Sequence, residues 1–292
     1  MMRAFDYLQP TTVAEACELL KRHGARARLY AGGAYLTIVM KEGLLEPEVL
    51  IDIKKIPELR GIHFDAGEGL HIGALVTHRE VETSEIVREK FPILCDIEKQ
   101  VANIRVRNVG TVGGNLASGE PLTDLPQVFI ALDARVKISG SSGERAVPVE
   151  ELLVDSYQTS LAQDEILTRI VIPPLPPDSG IEYIRFSSSS VVDKPCVGVA
   201  VCLALDPAHK ICESARIVMG CVGPTPVRAS RAEQLLIGNP VQPAVIQEAA
   251  KSAAQECRPV SDLRGSEAYK RAVVHALVRR ALSTAAERAS VN

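Results

Sequence analysis

The sequence predicts an α+β protein built as two successive domains. Apolar segments at hairpin spacing alternate with capped helices through the first half. A proline-rich break follows at residues 173–180, and beyond it come an antiparallel strand pair and further helices. At 292 residues the chain is at the upper limit for one hydrophobic core, roughly 250–300 residues, which favours two domains.

The segment PTTVAEACELLKRHG reads as a helix. Thr12 with Glu15 forms a capping box, Val13, Ala16, Cys17 and Leu20 make one apolar face, and Gly24 is placed to end it. ARLYAGG is a short strand running into glycines, YLTIVMKEG a short helix, and EVLIDI a strand without a polar face. These segments predict a small α/β layer over residues 1–55. IHFDAGEGLHIGAL is a hairpin turning at Asp65–Gly69. Thr77 and Glu80 cap a helix expected to continue through REVETSEIVREK, and FPILCDIEKQVAN reads as a buried helix. LPQVFIALDA is apolar and helical, RVKISGSSGERAVPV a second hairpin turning at Gly140–Gly143, and EILTRIVIPP a strand.

Four prolines between Pro173 and Pro177 cannot continue a helix or a central strand. The expected domains are therefore 1–175, with parts 1–55 and 56–175, and 180–292. In the second, CVGVAVCLALD and ICESARIVMGCVG pair across a turn at Pro207–Lys210, and RASRAEQLLIG, AVIQEAAKSAAQEC and SEAYKRAVVHALVRRAL are helices. Tyr269, Val273, Leu277 and Ala281 recur every four residues, predicting one buried face.

Composition excludes several functions. A net charge of −3 and the lack of tryptophan disfavour nucleic acid or an acidic membrane as the main partner. No apolar run approaches the ~20 residues of a membrane span. The N-terminus MMRAFDYLQP has no apolar leader core, so the expected compartment is the cytoplasm. None of the seven cysteines is spaced C-x-x-C, so neither a zinc site nor an iron–sulfur site is indicated. Cys196 and Cys202, an even number of residues apart, are expected on one strand face as small buried hydrophobes. Six histidines are scattered, and no catalytic residue or metal ligand is assigned.

Two glycine loops stand out: LYAGGAYL, from Leu29 to Leu36, and TVGGNL, from Thr111 to Leu116. Neither fits G-x-G-x-x-G or the P-loop pattern. Adjacent glycines let backbone N–H groups converge into an anion nest, and two nests suit the two phosphates of a dinucleotide. Thr111 and Asn115 offer polar side chains, and Asp124 is an acceptor suited to ribose hydroxyls. Plain turns explain each loop equally well.

The strings YAGGAYL, LIDI and IRVRNVGTVGGNLASGEPLTDLP resemble the FAD-binding medium subunit of the molybdenum hydroxylases. This family includes the carbon monoxide, xanthine, quinoline and nicotinate oxidoreductases. The tail DLRGSEAYKRAVVHALVRRAL resembles the family's C-terminal domain, so the resemblance spans nearly the whole chain. It implies a two-part FAD domain of the vanillyl-alcohol oxidase/PCMH type, followed by a C-terminal domain with an antiparallel sheet and helices. By position, Leu29, Tyr30, Ala31, Gly32, Gly33, Ala34, Tyr35 and Leu36 would wrap the pyrophosphate. Thr111, Val112, Gly113, Gly114 and Asn115 would form the second nest, and Asp124 would bind the adenosine ribose. Leu167 would sit by the flavin, and Ala102 marks another contact. Arg185 stands where the family often has a lysine near the flavin. The chain departs from the family at Ala34, where a polar residue is usual, and in Ser187–Pro195, where a serine run replaces a family arginine.

The resemblance implies an electron-transfer role. A large molybdenum subunit oxidises the substrate, a small [2Fe–2S] subunit relays electrons to FAD, and oxygen, NAD or a quinone receives them. Three different chains assemble as a dimer of heterotrimers. The alternatives are a stand-alone flavoprotein oxidase or dehydrogenase, and a nucleotide-binding assembly protein without catalysis.

Overall fold

The computed structural model describes residues 3–188, 190, 193–206 and 210–291. The turn expected at Pro207–Lys210 falls largely outside the described residues, as do Ser189, Val191 and Val192 of the serine-run segment. The chain packs as two compact units, Met1–Gly119 with Arg135–Ile172, and Glu120–Ala134 with Pro173–Asn292.

The first unit opens with a three-stranded parallel sheet ordered Asp6–Leu8, Val49–Asp52, Ala27–Tyr30. Val49–Asp52 is central and wholly buried, as its lack of a polar face requires. Its terminal Asp52 accepts hydrogen bonds from Tyr7 Oη, Gln9 Nε2 and the Lys54 amide. The edge strand Asp6–Leu8 escaped the sequence reading because three residues carry too little periodicity. The helix Val13–His23 buries Ala16, Cys17 and Leu20 and ends at Gly24, whose φ is +56°. Thr12 caps it, but Glu15 reaches the Thr11 amide rather than closing the box on Thr12.

The larger part is a five-stranded antiparallel sheet ordered Ile62–Asp65, Gly69–Gly73, Ile166–Ile172, Arg135–Gly140, Gly143–Pro148. Both expected hairpins form its edges. Helices His78–Thr83, Glu85–Lys90 and Pro92–Glu98 follow the first hairpin. The single helix expected over residues 78–90 is broken at Ser84, which adopts extended backbone and caps the second piece through Val87 N–H. The Thr77–Glu80 capping box is complete. Thr111 caps a short helix, Val112–Ala117, so both glycines of the second loop are helical.

The second unit has a four-stranded antiparallel sheet ordered Ser179–Phe186, Val197–Asp206, Ile211–Gly220, Val227–Arg228. Val197, Val199, Val201, Leu203 and Leu205 point into one core with helices Ser230–Leu236, Pro243–Glu256 and Glu267–Ala289. Helix and sheet approach so closely that a methyl on Gly180 would lie 1.8 Å from Ala285 O. The last helix buries Lys270, Val274, Leu277, Val278, Ala281, Leu282, Ala285 and Ala289. Tyr269 is exposed, contrary to the four-residue repeat. At 3.6 residues per turn a strict repeat of four drifts around the helix, so its first member leaves the buried stripe. Cys196 belongs to this core, whereas Cys202 lies on the opposite strand face, because Cys196 precedes the strand and an even spacing there sets no face. All seven cysteines are free thiols, and burial pushes Cys17 and Cys212 up to about 11.

Candidate functional site

The strand Ala27–Tyr30 leaves its sheet through Ala31–Tyr35 before the short helix Leu36–Lys41. Gly33 has φ +72°, and a methyl there would meet the Tyr30 ring at 2.5 Å. That ring is held from its face by Lys54 Nζ, 4.3 Å from the centroid. No acceptor among the described residues takes the N–H groups of Gly32, Gly33 or Ala34. Leu29 is half-buried in the strand and Leu36 half-buried at the start of the helix.

The two glycine loops meet. A methyl on Gly32 would lie 1.7 Å from Val109 O and 3.0 Å from Gly110 Cα. Gly32 is therefore required by backbone approach. Four amides of the second loop have protein acceptors: Val112 N–H donates to Val76 O (2.9 Å), Gly113 to Ala74 O (3.1 Å), Gly114 to Thr111 Oγ1 (3.0 Å) and Asn115 to Thr111 O (2.9 Å). These four donors are engaged in a helical turn capped by Thr111, where the sequence led us to expect a nest at Thr111–Asn115. Gly113 has a packing reason, since a methyl there would meet Ala74 Cβ and O at 2.6 Å, while at Gly114 it would meet only Thr111 Oγ1. What this stretch leaves open is Asn115 Oδ1, buried without a hydrogen-bond partner among the described residues. A buried carbonyl oxygen lacking a donor is costly unless a ligand or water supplies one. Leu167 is buried on the central strand, and its neighbour Thr168 accepts the Ala74 N–H, linking that strand to the Gly113 contact.

Charged pairs brace this region. His78 is buried against Glu98, Nδ1 to Oε2 2.8 Å, and its ring lies where a methyl on Gly110 would sit, at 3.0 Å. Its backbone N–H donates to Gly110 O. Burial pulls the imidazole pKa down, but the charge and hydrogen bond of Glu98 outweigh it and hold His78 above its ordinary value. Ala102 has φ +44°, and its carbonyl accepts from Arg107, which is itself anchored on Glu82 at 3.0 Å. Among six scattered histidines, no sequence pattern singled out His78, because its partner lies twenty residues away on another helix.

In the second unit Asp124 and Arg185 come together. Asp124 Oδ1 accepts from Tyr183 Oη (2.6 Å) and Arg185 Nε (3.0 Å), with Asp124 only 6% exposed. Gln127 Nε2 reaches Tyr183 Oη at 3.2 Å, and Gly198 and Gly220 leave room for the Gln127 and Tyr183 side chains. Burial pushes the Asp124 carboxyl up, with Arg185 and Tyr183 pulling it back, and burial drives the Tyr183 phenol well above its usual range. The acceptor expected for a ribose thus carries two protein donors. Arg185 also donates to Asp193 O, and Lys194 pairs with Glu120 at 2.6 Å. Tyr183 and Gln127 were missed because each sits in an ordinary strand or helix pattern and only the fold joins them.

Residues 3–175 match the family described as FAD binding domain in molybdopterin dehydrogenase, and residues 182–285 the CO dehydrogenase flavoprotein C-terminal domain. The chain is 35% identical over 281 residues to the carbon monoxide dehydrogenase medium chain of Hydrogenophaga pseudoflava, covering 96% of each. It is 28% identical to a putative xanthine dehydrogenase FAD-binding subunit of Escherichia coli, covering 96% of this chain and 95% of that one. A solved structure of the Hydrogenophaga pseudoflava carbon monoxide dehydrogenase superposes with a TM-score of 0.94 at 36% identity, covering 99% of both chains.

Proposed function

The chain belongs to the family of FAD-binding medium subunits of molybdenum hydroxylases, and from that premise we propose that it relays electrons within a three-subunit complex. Electrons pass from the [2Fe–2S] clusters of a small subunit to FAD on this chain, and on to an external acceptor. A large molybdenum-cofactor subunit oxidises the substrate, and the complex assembles as a dimer of heterotrimers. The carrying observation is the end-to-end match to a carbon monoxide dehydrogenase medium chain, 96% of each sequence. The cytoplasm is the compartment that seven unpaired thiols favour. No helix among the described residues is long and apolar enough to cross a membrane.

FAD is the cofactor of this family, and the residues present suit it. The free amides of Gly32, Gly33 and Ala34 are donors for an anionic group such as a pyrophosphate. Asn115 Oδ1 is an acceptor awaiting a donor. Leu29–Leu36, Ala102, Thr111–Asn115 and Leu167, all in the first unit, are the residues assigned to hold FAD. With alanine at position 34, phosphate contact there falls to the backbone. When bound, FAD exchanges electron pairs for single electrons. The chain's own residues bind and orient it: Gly32 lets the two loops close on one another, and the Thr111 cap fixes the turn that presents Asn115. In the second unit Arg185 and Asp124 hold each other, fixing the start of helix Leu125–Ala131 against the Tyr183 strand.

The test is co-expression of a tagged copy with the large and small subunits. Three chains in equal amounts, with FAD and iron retained, support the reading. A chain that elutes alone and oxidises substrate unaided contradicts it and favours the stand-alone oxidase.

A further inference from the structure

The strands Leu153–Asp155 and Gln158–Thr159 are joined by a tight turn, Ser156–Tyr157, in which Asp155 pairs with Gln158. Tyr157 has φ +60°. That position in a turn normally takes glycine or asparagine, because a side chain there crowds its own backbone. Tyrosine is held there by its surroundings. Its N–H donates to Gly119 O at 2.7 Å, and Gly119, itself at φ +58°, lies so close that a methyl on it would be 2.8 Å from Gln158 N. A bulky residue kept in a left-handed turn points to a use for its side chain.

The Tyr157 ring stacks on Tyr35, with centroids 6.0 Å apart and planes 14° from parallel. Tyr35 directly follows Gly32, Gly33 and Ala34, whose amides have no acceptor among the described residues. Neither ring is driven into a core, since Tyr35 is 39% and Tyr157 53% exposed. Hydrophobic burial therefore does not account for the pairing, and it joins the first glycine loop to the turn that Gly119 anchors.

We propose that Tyr35 and Tyr157 form an aromatic clasp that fixes the first glycine loop in its FAD-binding shape and slows FAD release. Both are positioning residues. The clasp rests on the reading that Gly32–Ala34 contact FAD. The stack restrains Tyr35, and Tyr35 restrains the three amides before it. Without the stack, the loop must be ordered each time FAD binds.

The experiment measures FAD dissociation from the purified full-length chain by recovery of flavin fluorescence, with melting temperature recorded on the FAD-free samples. An aromatic pair of this kind corresponds to roughly a two- to tenfold effect. Tyr35→Ala and Tyr157→Gly are each expected to release FAD faster by that factor, and the double variant no faster than either single one. Tyr35→Phe keeps a ring and is expected to release FAD more slowly than Tyr35→Ala. Glycine suits φ +60°, so Tyr157→Gly is expected to melt no lower than wild type, separating the clasp from a fold-stabilising role. Should Tyr157→Gly not fold, the contrast between Tyr35→Ala and Tyr35→Phe decides alone. Ala34→Asp places a carboxylate beside the free amides and tests the underlying loop reading. Wild-type release by Tyr35→Ala, or single effects that multiply in the double variant, overturns the clasp. If Ala34→Asp still sheds FAD quickly in that case, the loop reading survives. If Ala34→Asp also retains FAD normally, both fall.

Discussion

Replacing Asp124 with alanine removes the acceptor shared by Tyr183 Oη and Arg185 Nε, at 2.6 and 3.0 Å. The Arg185 side chain is only 5% exposed, so the variant leaves a nearly buried guanidinium without its carboxylate partner. Removing one partner of such a pair costs about 3–5 kcal/mol, because a buried charge loses its carboxylate. In a unit of this size each kcal/mol shifts the melting temperature by about 2–4 °C, so the expected fall is roughly 6–20 °C. Asp124→Asn keeps an oxygen for the tyrosine and is expected to fall less. Calorimetry with and without added FAD, on the same preparations, reads the effect. The loss should persist in FAD-free protein, because the clamp lies within the second unit. An Asp124→Ala protein that melts like wild type yet no longer binds FAD would refute the clamp and restore the ribose-acceptor reading.

Further outcomes follow from the same geometry. Gly113→Ala forces a methyl to 2.6 Å from Ala74 backbone and Cβ atoms, so it is expected to lower stability by about 1–3 kcal/mol, whereas Gly114→Ala meets one side-chain atom, the capping Thr111 Oγ1 at 2.8 Å, and should cost less; urea unfolding of the pair checks the contrast. His78 is held above its ordinary pKa, so its stabilisation is full below about 6.5 and is lost as pH rises through the raised value; His78→Gln should flatten that alkaline decline in melting temperature. Acid precipitation should leave a colourless pellet and release FAD rather than FMN into the supernatant, since neither glycine loop has a histidine or cysteine for a covalent link.

The fold was legible where local chemistry and tertiary packing agree. The Thr77–Glu80 box, the Gly24 stop, both hairpin turns and the all-apolar Val49–Asp52 strand each carry a local physical signature. It was illegible where one residue changes the reading. Ser84 broke a helix that composition would allow to continue, and Tyr269 left the buried face through rotational drift. At the site, the glycine strings identified the family and its cofactor. Their physical reasons diverged: Gly32 and Gly113 are glycines because backbone or side-chain atoms approach them, and the adjacent amides of Gly32–Ala34 have no acceptor among the described residues, whereas those of Val112–Asn115 do. The pairings His78–Glu98, Asp124–Tyr183 and Tyr35–Tyr157 join residues far apart in sequence, so only the folded chain reveals them.

We propose that this chain receives electrons on FAD from partner subunits. The direct measurement is anaerobic mixing of the oxidised, FAD-loaded chain with dithionite-reduced large and small subunits freed of excess reductant, followed by visible absorption. The flavin band is expected to bleach as the iron–sulfur absorption recovers, with electrons conserved between the two, and Ala34→Asp protein depleted of FAD is expected to take none. A flavin that stays oxidised beside reduced clusters within an assembled complex would contradict it.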